Sequence, residues 1–187
     1  MPNLVLHKQI IKHRDVVEDD WSVLRLLEGE APETVAVPDG KIIVPLSVWQ
    51  AQRPALSGRA DIGVWLAPDE QAAAIRDDLQ RLGVVAVDFP KFSDGRGYST
   101  AFNLRKRLGY QGELRAIGDV LRDQLWPLSR VGFDAFATRQ DRSIVDALKG
   151  LTVFSETYQA SVDQPLPLFR RAPRGTPPEL LDAGAGI

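Results

Sequence analysis

The segment from Phe89 to Ser99 carries the residue types of an anion-binding loop. It combines two glycines, two cations, hydroxyl groups and three aromatic side chains directly before a predicted helix. Glycine permits a positive φ and a close backbone approach, and the first N–H groups of a helix are free to bind an anion. Arg96, between Gly95 and Gly97, can then clamp a phosphate, sulfate or carboxylate. The same segment can instead be a structured turn in which Arg96 pairs with a nearby carboxylate and Tyr98 packs.

A second polar segment runs from Gly118 to Gln124. A carboxylate at Asp119, beside Arg122 and Gln124, can orient a polar ligand, although aspartate at this position is more typical of a helix N-cap. Acid/base or metal chemistry needs several carboxylates close together, which spacing alone does not establish. We assign no metal site, and the catalytic candidates are Asp94, Asp119 and Asp123.

Repeated βα units must position these segments. From Asp61 onward, short β-rich runs alternate with helical patterns at intervals of roughly 20 to 30 residues, which favours parallel strands. Helices are predicted to fill the intervals, with a kink at Pro127 and an N-cap at Asp141. The first of these helices is predicted to bury a stripe of Ala72, Ile75, Leu79 and Leu82. The predicted strands are 62–66, 84–87, 113–117, 133–137 and 151–154.

Binding groups in a parallel sheet collect beyond the carboxyl ends of the strands. This rule selects four segments that we expect to share one face, 88–99, 118–119, 138–141 and 155–158. The ligand- or partner-binding candidates are Asp94, Gly95, Arg96, Gly97, Tyr98, Ser99, Gly118, Asp119, Arg122, Gln124 and Arg139.

The predicted fold class is α/β, a three-layer arrangement around a mostly parallel sheet, with a half-TIM-barrel-like sheet as the alternative. Residues 1–60 are predicted to form a β-rich N-terminal extension, with a hairpin over 34–46 around the Pro38-Asp39-Gly40 turn. Residues 61–160 form the α/β domain, and residues 161–187 an extended tail rich in proline and glycine. An open half-barrel can complete its burial by pairing with a second copy, so a homodimer is a candidate assembly.

Composition narrows the function classes. The chain has 187 residues, 25 acidic and 23 basic, with a formal charge of −2. No global field would draw it to nucleic acid. It contains no cysteine, which excludes disulfides and thiolate chemistry. No cofactor is identifiable. Neither a signal-peptide core nor a membrane-spanning run is present in the sequence, so a cytoplasmic location without membrane partners is expected.

Two further groups of basic residues have simple interpretations. The run Arg105-Lys106-Arg107, with Arg115 and Arg122, can form a basic patch for an acidic partner such as a ferredoxin-like protein, or a solvated helix face. His7 and His13 are interpreted as surface residues of a peripheral segment.

Four segments carry a resemblance to a known family. The runs 88–99, 114–124, 132–136 and 154–159 resemble the bacterial domain of unknown function family 934, whose members carry the label of an oxidoreductase of sulfite reduction. The resemblance implies an accessory role in assimilatory sulfite reduction, with docking to the sirohaem sulfite reductase or its electron donor through Arg96 and residues 118–124. The alternative is a small enzyme or ligand-binding protein that holds a small anion at Gly95-Arg96-Gly97. A flavin or nicotinamide oxidoreductase is the third hypothesis.

Overall fold

The computed structural model describes residues 3–171, which form one nine-stranded sheet with helices packed against it. The strands are β1 (Asn3–Leu6), β2 (Gln9–Lys12), β3 (Asp15–Glu18), β4 (Ser22–Arg25), β5 (Ile42–Pro45), β6 (Ile62–Leu66), β7 (Val84–Phe89), β8 (Glu113–Gly118) and β9 (Ala135–Phe136). The α-helices are α1 (Leu46–Leu56), α2 (Arg96–Phe102), α3 (Arg122–Arg130), α4 (Ile144–Leu148) and α5 (Leu168–Arg171). Short 3-10 helices span Ala72–Asp78 and Lys149–Thr152, and a π-helical segment spans Asn103–Arg107.

Six parallel strands in sequence order make up the centre of the sheet. The strand order is β1-β4-β5-β6-β7-β8-β9-β2-β3, and each pair from β4 to β9 is parallel. In a flat sheet β1 and β2 would lie roughly 34 Å apart, at about 4.8 Å per strand. They are joined by only two residues, whose reach is at most about 11 Å. The sheet therefore curls until its two edges meet.

Residues 3–25 close this curled sheet as one long hairpin. Residues Asn3–Leu6 pair with the strand Ser22–Arg25, and Gln9–Lys12 pair with Asp15–Glu18, so both halves belong to the same antiparallel ladder. Two residues of the first strand, 7–8, face three of the second, 19–21, which is a β-bulge. Because β2 also pairs with β9 and β4 also pairs with β5, the hairpin bridges both edges. We call residues 3–25 the N-terminal hairpin.

The two faces of the sheet have different cores. The outer face packs Val64, Val85 and Leu114 against the helices through side chains such as Trp49 and Leu125. The inner face holds a separate cluster that comes from strands and the segments beside them. Its buried members are Ile10, Val23, Ile43, Val84, Ala86, Ile117, Ala135 and Ala137. The helices thus cover one face only, and the half-barrel alternative is the architecture that the structure shows.

The βα pattern of the sequence is confirmed over its central part. Strands β6, β7 and β8 cover the predicted runs, and β9 lies within the fourth. The predicted stripe Ala72, Ile75, Leu79 and Leu82 is buried, although its helix is a 3-10 helix.

Three local predictions are wrong. Residues 151–154 do not form a fifth strand, because Lys149–Thr152 is a 3-10 helix directly after α4. No hairpin forms over 34–46, where only β5 is a strand and pairs with parallel neighbours. Ser143 caps α4 in place of Asp141, since its hydroxyl accepts the N–H of Asp146.

The β-rich N-terminal extension supplies five of the nine strands to the same sheet. Within the C-terminal tail, α5 is anchored because Arg171 donates to Glu156 and to the carbonyl of Thr157. The rest of that predicted tail, 172–187, lies outside the described residues.

Candidate functional site

The loops after β7, β8 and β9 meet at one edge of the barrel, as predicted. The Asp119 carboxylate accepts the N–H of Phe92 at 2.9 Å and Nη1 of Arg139 at 3.1 Å. The backbone adds two links, since Asp119 N–H donates to Phe89 and Arg139 N–H donates to Val120. We call this edge the carboxyl rim, defined as residues 90–96, 119–121 and 137–143. Asp119 holds it together as a rigid unit.

The fourth predicted segment, 155–158, does not reach the carboxyl rim. It follows no strand, and it lies beside α3, in a shallow cavity lined by Trp126, Arg130 and Tyr98. Three of the four predicted segments are therefore together, and the fourth is displaced by the missing strand.

Arg96 lies at the start of α2 with its side chain 61% exposed, but it is already paired. Its Nε and Nη2 donate to the two carboxylate oxygens of Asp94 at 3.0 and 2.7 Å. This contact holds the pKa of Asp94 below its usual range. An anion bound at Gly95-Arg96-Gly97 would compete with that carboxylate for Nε and Nη2, or would use Nη1 of Arg96, which donates to neither oxygen.

The residues after Arg96 serve packing. Gly97 is buried, and a Cβ there would lie 2.6 Å from the ring of Phe89, so the turn requires glycine. Tyr98 packs edge to face on the same ring at 5.8 Å, and burial raises the pKa of its hydroxyl. Ser99 is exposed and lines the same groove as Arg96, between α2 and the 3-10 helix Ala72–Asp78.

Asp119 is not an N-cap, which corrects the more typical sequence interpretation. The N-cap position of α3 is Leu121, whose N–H is accepted by Oε1 of Gln124. The buried Gln124 also donates to the carbonyl of Phe92, so it links α3 to the loop after β7. Gly118 has a φ of +94°, and a Cβ there would lie 2.7 Å from a carboxylate oxygen of Asp88.

The remaining candidates are surface side chains. Arg122 pairs with Asp146 at 3.1 Å, with both groups half exposed. Asp94, Asp119 and Asp123 do not gather into one site, and within residues 3–171 no three acidic or histidine side chains are grouped so as to hold a metal ion. Within the same residues no helix is long and apolar enough to cross a bilayer.

The sequence interpretation missed an ion cluster inside the barrel. Arg115, in the middle of β8, is 1% exposed and donates to Asp19 at 2.9 Å and to Glu113 at 2.7 Å. Lys12 completes the cluster by pairing with Glu113 at 2.7 Å. Asp19 lies at the bulge of the N-terminal hairpin, which turns its side chain inward.

A second ion pair lies at the carboxyl end of the same interior. Arg25 makes two hydrogen bonds to Asp88, at 2.9 and 2.6 Å, and stacks 4.6 Å from the centre of the Trp65 ring. The Trp65 Nε1 donates to the carbonyl of Leu24. A charged residue at an inward position of an apolar strand, such as Arg115 or Asp88, is the one sequence signal that would have indicated this interior.

Two interpretations of basic residues hold only in part, since His13, Lys106 and Arg107 are exposed as expected, but His7, Arg105 and Arg115 are not. His7 is half buried between the two strand pairings of the hairpin, and desolvation, with Arg115 and Arg25 nearby, lowers the pKa of its ring despite the opposing charge of Asp19. The basic patch does not form, because Arg115 is buried and the largely buried Arg105 donates to the carbonyls of residues 110, 112 and 132.

Comparison with known proteins places the chain in a family. A curled parallel sheet with its loops tied together at the carboxyl rim defines an α/β half-barrel protein. Residues 63–169 match the model of the family described as bacterial protein of unknown function (DUF934), and the chain belongs to that family. No curated protein and no solved structure matches the chain.

Proposed function

We propose that this protein is an accessory factor of assimilatory sulfite reduction that works in the cytoplasm by docking to the sulfite reductase or to its electron donor. The observation that carries the docking role is an exposed apolar cleft that begins at the 118–124 segment. We call it the Trp126 cleft, lined by Trp126, Pro127, Gly150, Val153 and Phe154, with Arg122 and Asp123 at its border.

The Trp126 cleft has the make-up of a protein interface. Its volume is about 470 Å³. Val153 and Phe154 are each 57% exposed, and the ring of Phe154 lies 4.5 Å from that of Trp126. Apolar side chains grouped on a surface mark interaction sites, whereas single exposed ones do not. Aromatic residues with arginine at the edge are typical of the residues that contribute most to binding.

The helix beneath the cleft is well anchored. Gly150 packs so closely on the backbone of Arg122 that a Cβ would overlap it, which fixes the 3-10 helix Lys149–Thr152 against α3. Leu125 and Leu128 bury the opposite side of α3 in the core. A preformed surface loses little conformational entropy on binding.

The experiment compares growth and complex formation. We expect a deletion strain to grow poorly with sulfate as sole sulfur source and normally with cysteine, and we expect the tagged protein to retain the reductase or its donor. Phe154→Ser should fail to restore growth and should lose the partner. Leu27→Ser removes a similarly exposed apolar side chain that does not line the Trp126 cleft. This control variant should restore growth and retain the partner. Normal growth of the deletion strain on sulfate would refute the proposal.

A further inference from the structure

A cavity lies where the N-terminal hairpin meets the loop after β9. Its volume is about 490 Å³, and its polar lining residues are His7, Lys8, Gln9, Thr138, Arg139, Gln140 and Arg142. Both walls are held in place. Nε2 of Gln140 donates to the carbonyl of Leu6 at 2.9 Å, and Arg139 N–H donates to Val120 at 3.1 Å. We call it the hairpin cavity.

The charge of the hairpin cavity is of one sign. Of five cavities on the described part of the chain, it is the one whose charged lining residues are all basic. Arg139 is neutralised from outside the cavity by Asp119 and Asp141, at 3.1 and 2.7 Å. Lys8 is exposed, and Arg142 is 70% exposed and lies 3.9 Å from its nearest carboxylate. These two cations remain available to a ligand.

Two less exposed polar groups also face the hairpin cavity without a protein partner. Thr138 is only 6% exposed, yet its hydroxyl makes no hydrogen bond to any described residue. The ring nitrogens of His7, half buried at the other wall, likewise bond to none of residues 3–171. Within residues 3–171 the one fully enclosed side-chain atom without a hydrogen-bond partner is Nη1 of Arg130, so the Thr138 hydroxyl and the His7 ring are reached from the cavity. Both groups are therefore placed to hydrogen-bond a molecule bound in the cavity.

We propose that the hairpin cavity binds a small molecule through a phosphate or sulfur oxyanion. The anion accepts hydrogen bonds from Thr138 and His7, and Lys8 and Arg142 neutralise its charge. Oxyanions are recognised by this combination of fixed hydroxyl or ring donors with lysine and arginine. The volume exceeds that of the bare anion and leaves room for an organic part. The site lies apart from the Trp126 cleft, so it does not depend on the docking proposal.

NMR of the histidine rings tests the site directly. The full chain is titrated with sodium phosphate, and separately with sodium sulfate and sodium sulfite, while the ring signals of His7 and His13 are followed. We expect millimolar anion to shift the His7 signals. Groups facing His7 are Asp19, Arg25 and Arg115 from the barrel interior and Lys8, Arg139 and Arg142 from the cavity. A bound anion adds a negative charge beside the ring, which favours its protonated form against the effect of these cations. His13, at the far turn of the hairpin, is the internal reference.

Paired charge variants separate a built site from general attraction. Lys8→Gln with Arg142→Gln should weaken phosphate binding by more than about tenfold, since it removes two charge-assisted hydrogen bonds. Arg81→Gln with Arg170→Gln changes the net charge equally at exposed positions that line neither the hairpin cavity nor the other cavities described above, and it should leave affinity unchanged. Circular dichroism confirms folding of both.

The arms of the titration also identify the oxyanion. A larger His7 shift with sulfite or sulfate than with phosphate assigns a sulfur oxyanion, and the reverse order assigns a phosphate. The proposal is overturned if no anion moves the His7 signals, or if both double variants weaken binding by the same factor.

Discussion

Replacing Arg115 tests the closure of the barrel. Arg115 and Asp19 are 96 positions apart, and their side chains are 1% and 2% exposed. Their contact requires that the bulge of the N-terminal hairpin lies over the interior of the curled sheet. Arg115→Met leaves the carboxylates of Asp19 and Glu113 in the interior without their shared cation. Removal of one partner of a buried pair typically costs about 3–5 kcal/mol. Since a domain of this kind has a free energy of unfolding of about 5–15 kcal/mol, the loss is large.

A double-mutant cycle isolates the pair. Arg115→Met with Asp19→Leu removes both charges, and an apolar replacement of a buried ion pair is often neutral. We therefore expect the double variant to be more stable than Arg115→Met alone, with a coupling energy of about 2 kcal/mol or more. The measurement is urea denaturation followed by circular dichroism. A cost below about 1 kcal/mol for Arg115→Met, or costs that simply add, would show that the pair is not buried and that the hairpin does not lie over the interior of the curled sheet.

Three further outcomes are expected. Gly118→Ala should lower the free energy of unfolding by more than about 2 kcal/mol, whereas Gly29→Ala, at a similar φ of +85° but with open space around it, should cost only about 1 kcal/mol, measured by urea denaturation. His13→Asn with Arg14→Gly should stabilise the fold by about 1 kcal/mol, because both residues have a positive φ in the two-residue turn. The measurement is the melting temperature, which should rise, and an unchanged melting temperature would contradict that turn. Burial lowers the pKa of His7, so the unfolded chain binds the ring proton more tightly, and the free energy of unfolding should fall as the pH decreases from about 7 to 5. His7→Gln should reduce this pH dependence. Equal slopes of unfolding free energy against pH for the two proteins would refute the reasoning.

The central strands could be predicted because local pattern determines them. The predicted runs 62–66 and 84–87 are mostly apolar and β-branched, and 113–117 includes the apolar residues Leu114, Ala116 and Ile117. Glycine and proline residues bound these runs, as is typical of strands. The meeting of their loops then followed from the parallel direction alone. The curl could be predicted only as the half-barrel alternative to a three-layer sheet, because what decides between them is a pairing between residues far apart in the chain.

The N-terminal hairpin escaped prediction for a local reason. Two-residue hairpin turns usually carry Asn-Gly or a related pair, since both positions need a positive φ. Here the turn is His13-Arg14, with φ values of 48° and 72°, so the usual composition signal is missing. The extra residue at 19–21 also breaks the alternation of the second strand. Because residues 3–25 lack both the usual turn residues and a continuous alternation of apolar and polar residues, their sequence does not indicate a hairpin.

The hairpin also bears on how much of the chain the fold requires. The family match begins at residue 63, inside β6, and so covers the last four parallel strands but neither β4, β5 nor the hairpin. Arg115 and Asp88 lie within the matched segment, yet Asp19 and Arg25, their partners, lie before it. A segment limited to the match would leave buried charges unpaired and both sheet edges open. Within the whole chain the N-terminal hairpin supplies Asp19 and Arg25 as partners of these charges and pairs with both β5 and β9.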